Sequence, residues 1–264
     1  MKNLLFIFIC YSFCTHLVNG QGIFINEFLA SNATTDADMV DFDDYSDWIE
    51  LYNDFDRSKY LSGYFITDDP DNPTKWKIPN ATRIRAKGFL RIWADGFNAK
   101  PGDQKEHEGG PSCELHRISY ETAHYHMNFK LSRAGEYLGL YDQNVEIVDS
   151  VSFGLQYRDV SMGRKPDGSD NWYFFGVPTP EASKGTEGVI IPEFTGEPVI
   201  DTESGFYSGS AIVTLDTSSS GTSLGYTLNG YKPAKDPIEY SSPLTVTETS
   251  VLRVRQYEEG KLPG

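Results

Sequence analysis

Residues 48–53 read Trp-Ile-Glu-Leu-Tyr-Asn, so Trp48, Glu50 and Tyr52 point to one side of an extended backbone and Ile49 and Leu51 to the other. Aromatic and branched side chains at a period of two fit a pleated, half-buried strand better than a helix. An acidic run leads directly into this strand. Between Asp36 and Asp47 the chain carries six aspartates and no basic residue. That much negative charge beside a strand leaves two readings open, a solvated loop or a site occupied by something positive.

Alternating apolar stretches recur on both sides. Residues 23–29, 61–67, 75–78, 88–94, 137–141, 145–153 and 160–164 each read as a short strand ended by turn residues. The segment Asp68-Asp69-Pro70-Asp71-Asn72-Pro73 cannot continue a central strand, and its aspartates read as turn chemistry. Asp95-Gly96 and Pro166-Asp167-Gly168 close two others. Short strands at this spacing, with no helical period, predict an all-β chain built as an antiparallel sandwich.

The chain of 264 residues has room for one large domain or two ordinary ones, and 39% hydrophobic with 14% aromatic residues excludes disorder throughout. A net charge of −15 and a pI near 4.7 argue against nucleic acid and against anionic lipid. Divalent cations and neutral partners fit that charge. At the N-terminus, Lys2, the apolar residues 4–10 and the exit Val18-Asn19-Gly20 read as a signal peptide over residues 1–20. Thr15, His16 and Asn19 break the apolar run short of the roughly 20 residues a membrane span needs. The expectation is a secreted protein starting at Gln21, with no membrane insertion after cleavage. Cys10 and Cys14 leave with that peptide, and Cys113 alone can form no intramolecular disulfide. Stability then rests on burial, with metal as a possible aid.

Several phrases in order carry a family resemblance: Ile25-Asn26-Glu27-Phe28-Leu29-Ala30-Ser31-Asn32, Asp47-Trp48-Ile49-Glu50-Leu51-Tyr52-Asn53, Leu61-Ser62-Gly63-Tyr64 with Thr67-Asp68-Asp69, Asn128-Phe129-Lys130-Leu131-Ser132 ahead of Gly135-Glu136, and Ser161-Met162-Gly163-Arg164 with Pro166-Asp167-Gly168. Together they resemble the lamin tail domain, in its bacterial, secreted branch. The resemblance implies an immunoglobulin-like sandwich over residues 21–185. Seven prolines and glycines between 178 and 198 mark a linker at 186–197, with Val189-Ile190-Ile191 as a docking strand. Beyond it the composition turns to Ser and Thr. Strands are expected at 198–200, 205–207, 211–215, 224–230, 243–246 and 250–254, and Tyr226-Thr227-Leu228-Asn229-Gly230-Tyr231-Lys232-Pro233 resembles the fibronectin-like C-terminal domain of chitobiases and hexosaminidases. That second sandwich covers 198–264 and stops at 260–264 where a last strand is due, which predicts an exposed sheet edge and the front part of a longer protein. In similar proteins this domain pair often precedes a CotH-like kinase domain, whose sequence is not found in this chain.

Two clusters are candidate metal sites. Asp36, Asp38, Asp41, Asp43, Asp44 and Asp47, with Glu50 beyond, supply the carboxylate oxygens that calcium takes, although the spacing is not that of a helix–loop–helix calcium loop. Cys113, His116, His124 and His126 fall in the insertion 97–127 and are the types that bind zinc. His124 and His126 would share a strand face, and His126 coincides with a histidine of the family, which implies a structural role. The insertion otherwise reads as an exposed loop for a partner. No nucleophile elbow, phosphate-binding glycine loop or His-Glu-x-x-His motif occurs after residue 20, so no enzyme is expected from these residues. Asn32-Ala33-Thr34 and Asn80-Ala81-Thr82 match the glycosylation pattern, by chance if the source is bacterial. Trp48, Trp76, Trp93 and Trp172 are the candidates for stacking on sugar, against a competing place in the core. The expectation is a secreted binding or spacer protein of the cell surface, engaging protein or glycan through loops and sheet edges. The alternative is the accessory N-terminal part of a larger surface enzyme.

Overall fold

A computed structural model describes residues 22–38, 44–98, 125–233 and 237–264, together with the backbone of 104–107 and 116–119. The described chain has strands and turns and no helix. In the first half these are β1 (Ile23–Leu29), β2 (Asp47–Asn53), β3 (Lys59–Tyr60), β4 (Phe65–Thr67), β5 (Trp76–Lys77), β6 (Arg83–Ile84), β7 (Phe89–Ala94), β8 (Gln104–His107), β9 (His116–Ser119), β10 (Glu136–Tyr141), β11 (Ile147–Phe153), β12 (Ser161–Arg164) and β13 (Trp172–Phe175). A sheet of order β13-β12-β1-β2-β7 faces a second of order β11-β10-β4-β5, with every pairing antiparallel. Ile25, Phe28, Ile49, Leu51, Leu90 and Ile92 from the first sheet meet Ile66, Leu138, Leu140 and Phe153 from the second, and this forms the core.

The strand β2 is buried on both faces, not half-buried. Ile49 and Leu51 enter the core, while Trp48 packs outside with Leu29 and Trp93, and Glu50 is buried beside them on that outer face. A register shift between Ile25 and Glu27 inserts one extra residue in β1 opposite β2. This bulge lets Asn26 and Glu27 both meet outer-face partners while Ile25 and Phe28 stay inward.

Several expected strands are shorter. Residues 61–64 form a turn around Gly63 (φ +83°), closed by Tyr64 N–H to Leu61 O at 3.0 Å, and only Phe65–Thr67 are extended. Val145 (φ +63°) lies in the hairpin before β11. The insertion is not loop alone, since β8 and β9 pair with His107 opposite His116. The last strand of this sheet, β13, carries no period-two signal in Trp-Tyr-Phe-Phe and was not expected from the sequence.

The second half contains β14 (Val199–Ile200), β15 (Ala211–Val213), β16 (Leu215–Asp216), β17 (Ser223–Thr227), β18 (Ile238–Glu239), β19 (Leu244–Val246) and β20 (Arg253–Tyr257). They make two two-stranded sheets, β14-β16 and β15-β19, and a three-stranded sheet β18-β17-β20 around Val213, Leu215 and Leu224. Residues 205–207 are exposed loop and not the expected strand. Leu262 is buried and pairs in parallel with Phe194 of the linker, with Thr195 N–H to Leu262 O at 2.9 Å, while β20 stands at the edge of its sheet. At its other end the linker joins the first domain through Val189 and Phe174, which exchange both backbone hydrogen bonds at 2.8 and 3.0 Å.

Candidate binding surface and the buried polar sites

The described aspartates of the acidic run each meet a partner inside the molecule. Asp36 forms an ion pair with Arg91 of β7, whose guanidinium also stacks on Trp93 at 4.4 Å. Asp38 is buried, receives the ring of His126 at 3.6 Å, and pairs its backbone with Asp44. The opposite ring nitrogen, Nδ1 of His126, stands 2.6 Å from Asp95 Oδ2. Asp47 accepts the backbone N–H of Asn32 at 2.9 Å, and burial pushes its carboxyl up to about 6 against that bond and the charge of Lys130. Asp44 accepts the hydroxyl of Ser46 at 3.3 Å. The four described aspartates therefore face Arg91, His126, Asn32 and Ser46. Asp41 and Asp43 lie outside the described residues.

Of the zinc candidates, His126 is fully buried, and its strand segment pairs with β7 through Trp93 N–H to Tyr125 O (2.8 Å) and Met127 N–H to Trp93 O (2.7 Å). This is the structural place that the resemblance implied. His116 is described by backbone only, and Cys113 and His124 lie outside the described residues. Among the described residues no three or more His, Cys, Asp or Glu side chains are grouped to hold a metal.

The tryptophans offered for sugar stacking are not available for it. Trp48, Trp76 and Trp93 are buried, and Trp172 packs against Phe28 at 5.7 Å with the Arg164 guanidinium 4.6 Å from its ring. The Asn32 amide donates to Asp36 O and Ser46 O, so it works as a loop brace. Asp68, Asp69 and Asp71 do form a turn: Asp71 N–H binds Asp69 Oδ1 at 3.0 Å and Asp68 pairs with Lys75 at 2.5 Å.

The family phrases converge on a buried polar cluster that sequence reasoning did not assemble. Glu27 of β1 and Glu50 of β2 oppose each other on the outer face, covered by the segment that follows β13. From that segment Lys184 brings Nζ to 2.9 Å from Glu27 Oε2, 3.8 Å from Glu50 Oε1 and 3.9 Å from Asp167 Oδ1. Ser161 Oγ–H (2.5 Å) and Thr179 N–H (3.3 Å) donate to Glu27 Oε1. Glu181 N–H donates to Glu50, and Asn26 Nδ2 bridges Glu50 and Asp167 at 3.4 and 3.0 Å. Burial first, and the neighbouring Glu27 charge, push Glu50 up to about 8 despite Lys184. The available signal was acidic residues in the middle of otherwise apolar strands.

The second domain displays an apolar cleft rimmed by exposed aromatics. A cleft of about 750 Å³ opens among Phe206, Tyr207, Val213, Leu228, Val246 and Leu252. Phe206 is fully exposed, Tyr207 is exposed, and the charged residues of the lining, Glu203 and Glu248, are both acidic. The segment Gly205-Phe206-Tyr207-Ser208-Gly209 is an exposed loop that displays both aromatics.

Sheets of five and four antiparallel strands around one core define the first domain as an immunoglobulin-like β-sandwich. The family model described as Lamin Tail Domain matches residues 19–154, about half of the chain, and the chain belongs to that family. The model described as Chitobiase/beta-hexosaminidase C-terminal domain matches residues 202–262. Comparison with curated proteins finds no match. The first sheet extends past the matched segment, since β12 pairs with β1 and β13 with β12.

Proposed function

We propose that the chain is a secreted, non-catalytic binding protein of the cell surface that engages its protein or glycan partner through the Phe206 cleft. One observation carries this reading: two aromatic side chains stand exposed over an apolar cleft in a domain whose own core is small. Aromatics that cost little conformational entropy to order are the usual anchors of binding surfaces. The acidic lining favours a neutral or cationic partner. The signal-like residues 1–20 support export, and the first domain serves as the rigid mount. Buried ion pairs brace it, as Lys184 with Glu27 and Arg164 with Asp149 do.

The test is saturable binding of the fluorescent purified chain to intact cells of the source organism, beside a glycan array. The Phe206→Ala, Tyr207→Ala double variant is expected to lose that binding while melting like the wild type. Equal binding by the double variant, or none by the wild type, overturns the reading. N-terminal sequencing of the exported protein is expected to begin at Gln21.

A further inference from the structure

Lys184 is an unusual lysine. Its side chain is 1% exposed and three carboxyls lie within 4 Å of its nitrogen, yet Nζ makes no hydrogen bond of proper geometry. At 2.9 Å from Glu27 Oε2 it is close enough for one, so distance is not what prevents it. A buried ion pair keeps its place when its protons and lone pairs are satisfied. Here the carboxyl is satisfied, by Ser161, Thr179 N–H and Thr179 Oγ1, and the amine is not.

We propose that Lys184 and Glu27 condense spontaneously to an intramolecular amide, which cross-links β1 to the segment after β13. The reacting pair is the neutral tautomer of the ion pair, reached when one proton crosses from Nζ to the Glu27 carboxyl. The Nζ lone pair attacks Cδ of Glu27 and forms the C–N bond. The carbonyl electron pair moves onto Oε1, where Ser161 Oγ–H and Thr179 N–H already point and stabilise the developing charge. Glu50 holds a proton at neutral pH, since burial raises it to about 8. It gives that proton to the departing Oε2 and takes one from Nζ in return. The C–Oε2 bond breaks and Oε2 leaves as water. Lysine amine plus glutamic acid thus gives amide plus one water, with Glu50 restored and nothing oxidised or reduced.

Three features of the site supply what such a reaction needs. The nucleophile and carboxyl are held together by packing, which turns a bimolecular encounter into a unimolecular step. The acceptor oxygen has two fixed donors. The proton carrier sits directly across the strand pair from the acceptor, in the register Glu27↔Glu50. The bond would close a loop from β1 to residue 184, the kind of long-range staple that cysteines provide elsewhere. With residues 1–20 removed, as proposed above, Cys113 is the one cysteine left and can form no internal disulfide.

The experiment is intact mass spectrometry of the folded, purified full chain after denaturation, followed by fragment sequencing of its proteolytic peptides. The expected result is a mass one water below that of the sequence, with the loss located in a branched peptide joining residues 27 and 184. Lys184→Met and Glu50→Gln are expected to show the uncorrected sequence mass, the first because the nucleophile is gone and the second because the proton carrier is. A folded wild type at full sequence mass overturns the proposal. So does a branched peptide at Asp167, or an ammonia loss located at Asn26, because each places the bond elsewhere. The wild-type measurement decides the matter even if a variant fails to fold.

Discussion

Lys232 of the second domain donates to Asp159 of the first across 3.1 Å, with both side chains largely buried. Asp159 also accepts Ala33 N–H, Thr34 N–H and the Thr34 hydroxyl, so one carboxylate ties the loop after β1 to the neighbouring domain. Removing it strands a buried ammonium and three donors. Asp159→Ala is expected to cost about 3 kcal/mol. In calorimetry the two domains should then melt as two separated transitions. A single transition at the wild-type temperature would show that the clamp carries no coupling.

The pH dependence follows from two carboxyls shifted in opposite directions. Burial tends to raise Asp159, but the Thr34 hydroxyl and Lys232 outweigh it and hold the carboxyl at about 2, below its ordinary 3.8. Its stabilisation is therefore present above 3.8 and lost as pH falls toward 2. Glu50 runs the other way. Folded, it keeps its proton to about 8, whereas the unfolded chain releases it near 4.5, so its stabilisation is present below 4.5 and lost as pH rises to 8. Melting of wild type and variants across pH checks both signs. The advantage of wild type over Asp159→Asn should shrink on the acid side, and its difference from Glu50→Gln should move against wild type on the alkaline side.

Arg164 pins the two sheets together. From β12 it donates Nε–H to Ile25 O at 2.8 Å and forks from Nη2 to both carboxylate oxygens of Asp149 of β11 at 2.9 and 3.0 Å, with its guanidinium 4.6 Å from the Trp172 ring. A lysine reaches one of these partners and stacks poorly. Arg164→Lys is expected to lower stability by about 2 kcal/mol, read as a lower urea midpoint at unchanged slope. A wild-type midpoint would mean that the fork is redundant.

The architecture was legible because the strand period shows which side chains of β1, β2, β7 and β10 turn inward. Ile25, Ile49, Ile92 and Leu138 alternate with outward residues, and each lies in the core. The outer face was not legible. Local pattern marks Glu50 as a solvent position, and only the segment bearing Lys184, more than 130 residues later, covers it. The partners of the acidic run were out of reach of local pattern for the same reason, since Arg91 and His126, which meet Asp36 and Asp38, lie far along the chain. Phe206 misleads in reverse. A hydrophobic pair beside glycine reads as strand until the fold shows nothing packed over it. Period-two patterns report which side a residue faces and are silent on what lies there.

Phe206 and Trp48 make the sharpest contrast between an aromatic that holds the fold and one that does not. Trp48 is fully buried against Leu29 and Trp93, so Trp48→Ala removes packing that nothing replaces and is expected to cost roughly 3–5 kcal/mol. Phe206 protrudes fully into solvent over its cleft, and its truncation should change stability by less than about 0.5 kcal/mol. Urea unfolding of the two variants beside wild type separates the cases. If Phe206→Ala destabilised as Trp48→Ala does, the aromatic would belong to the core of the second domain, and the cleft would lose its standing as a binding surface. With stability unchanged, any loss of cell binding by Phe206→Ala reports the surface itself.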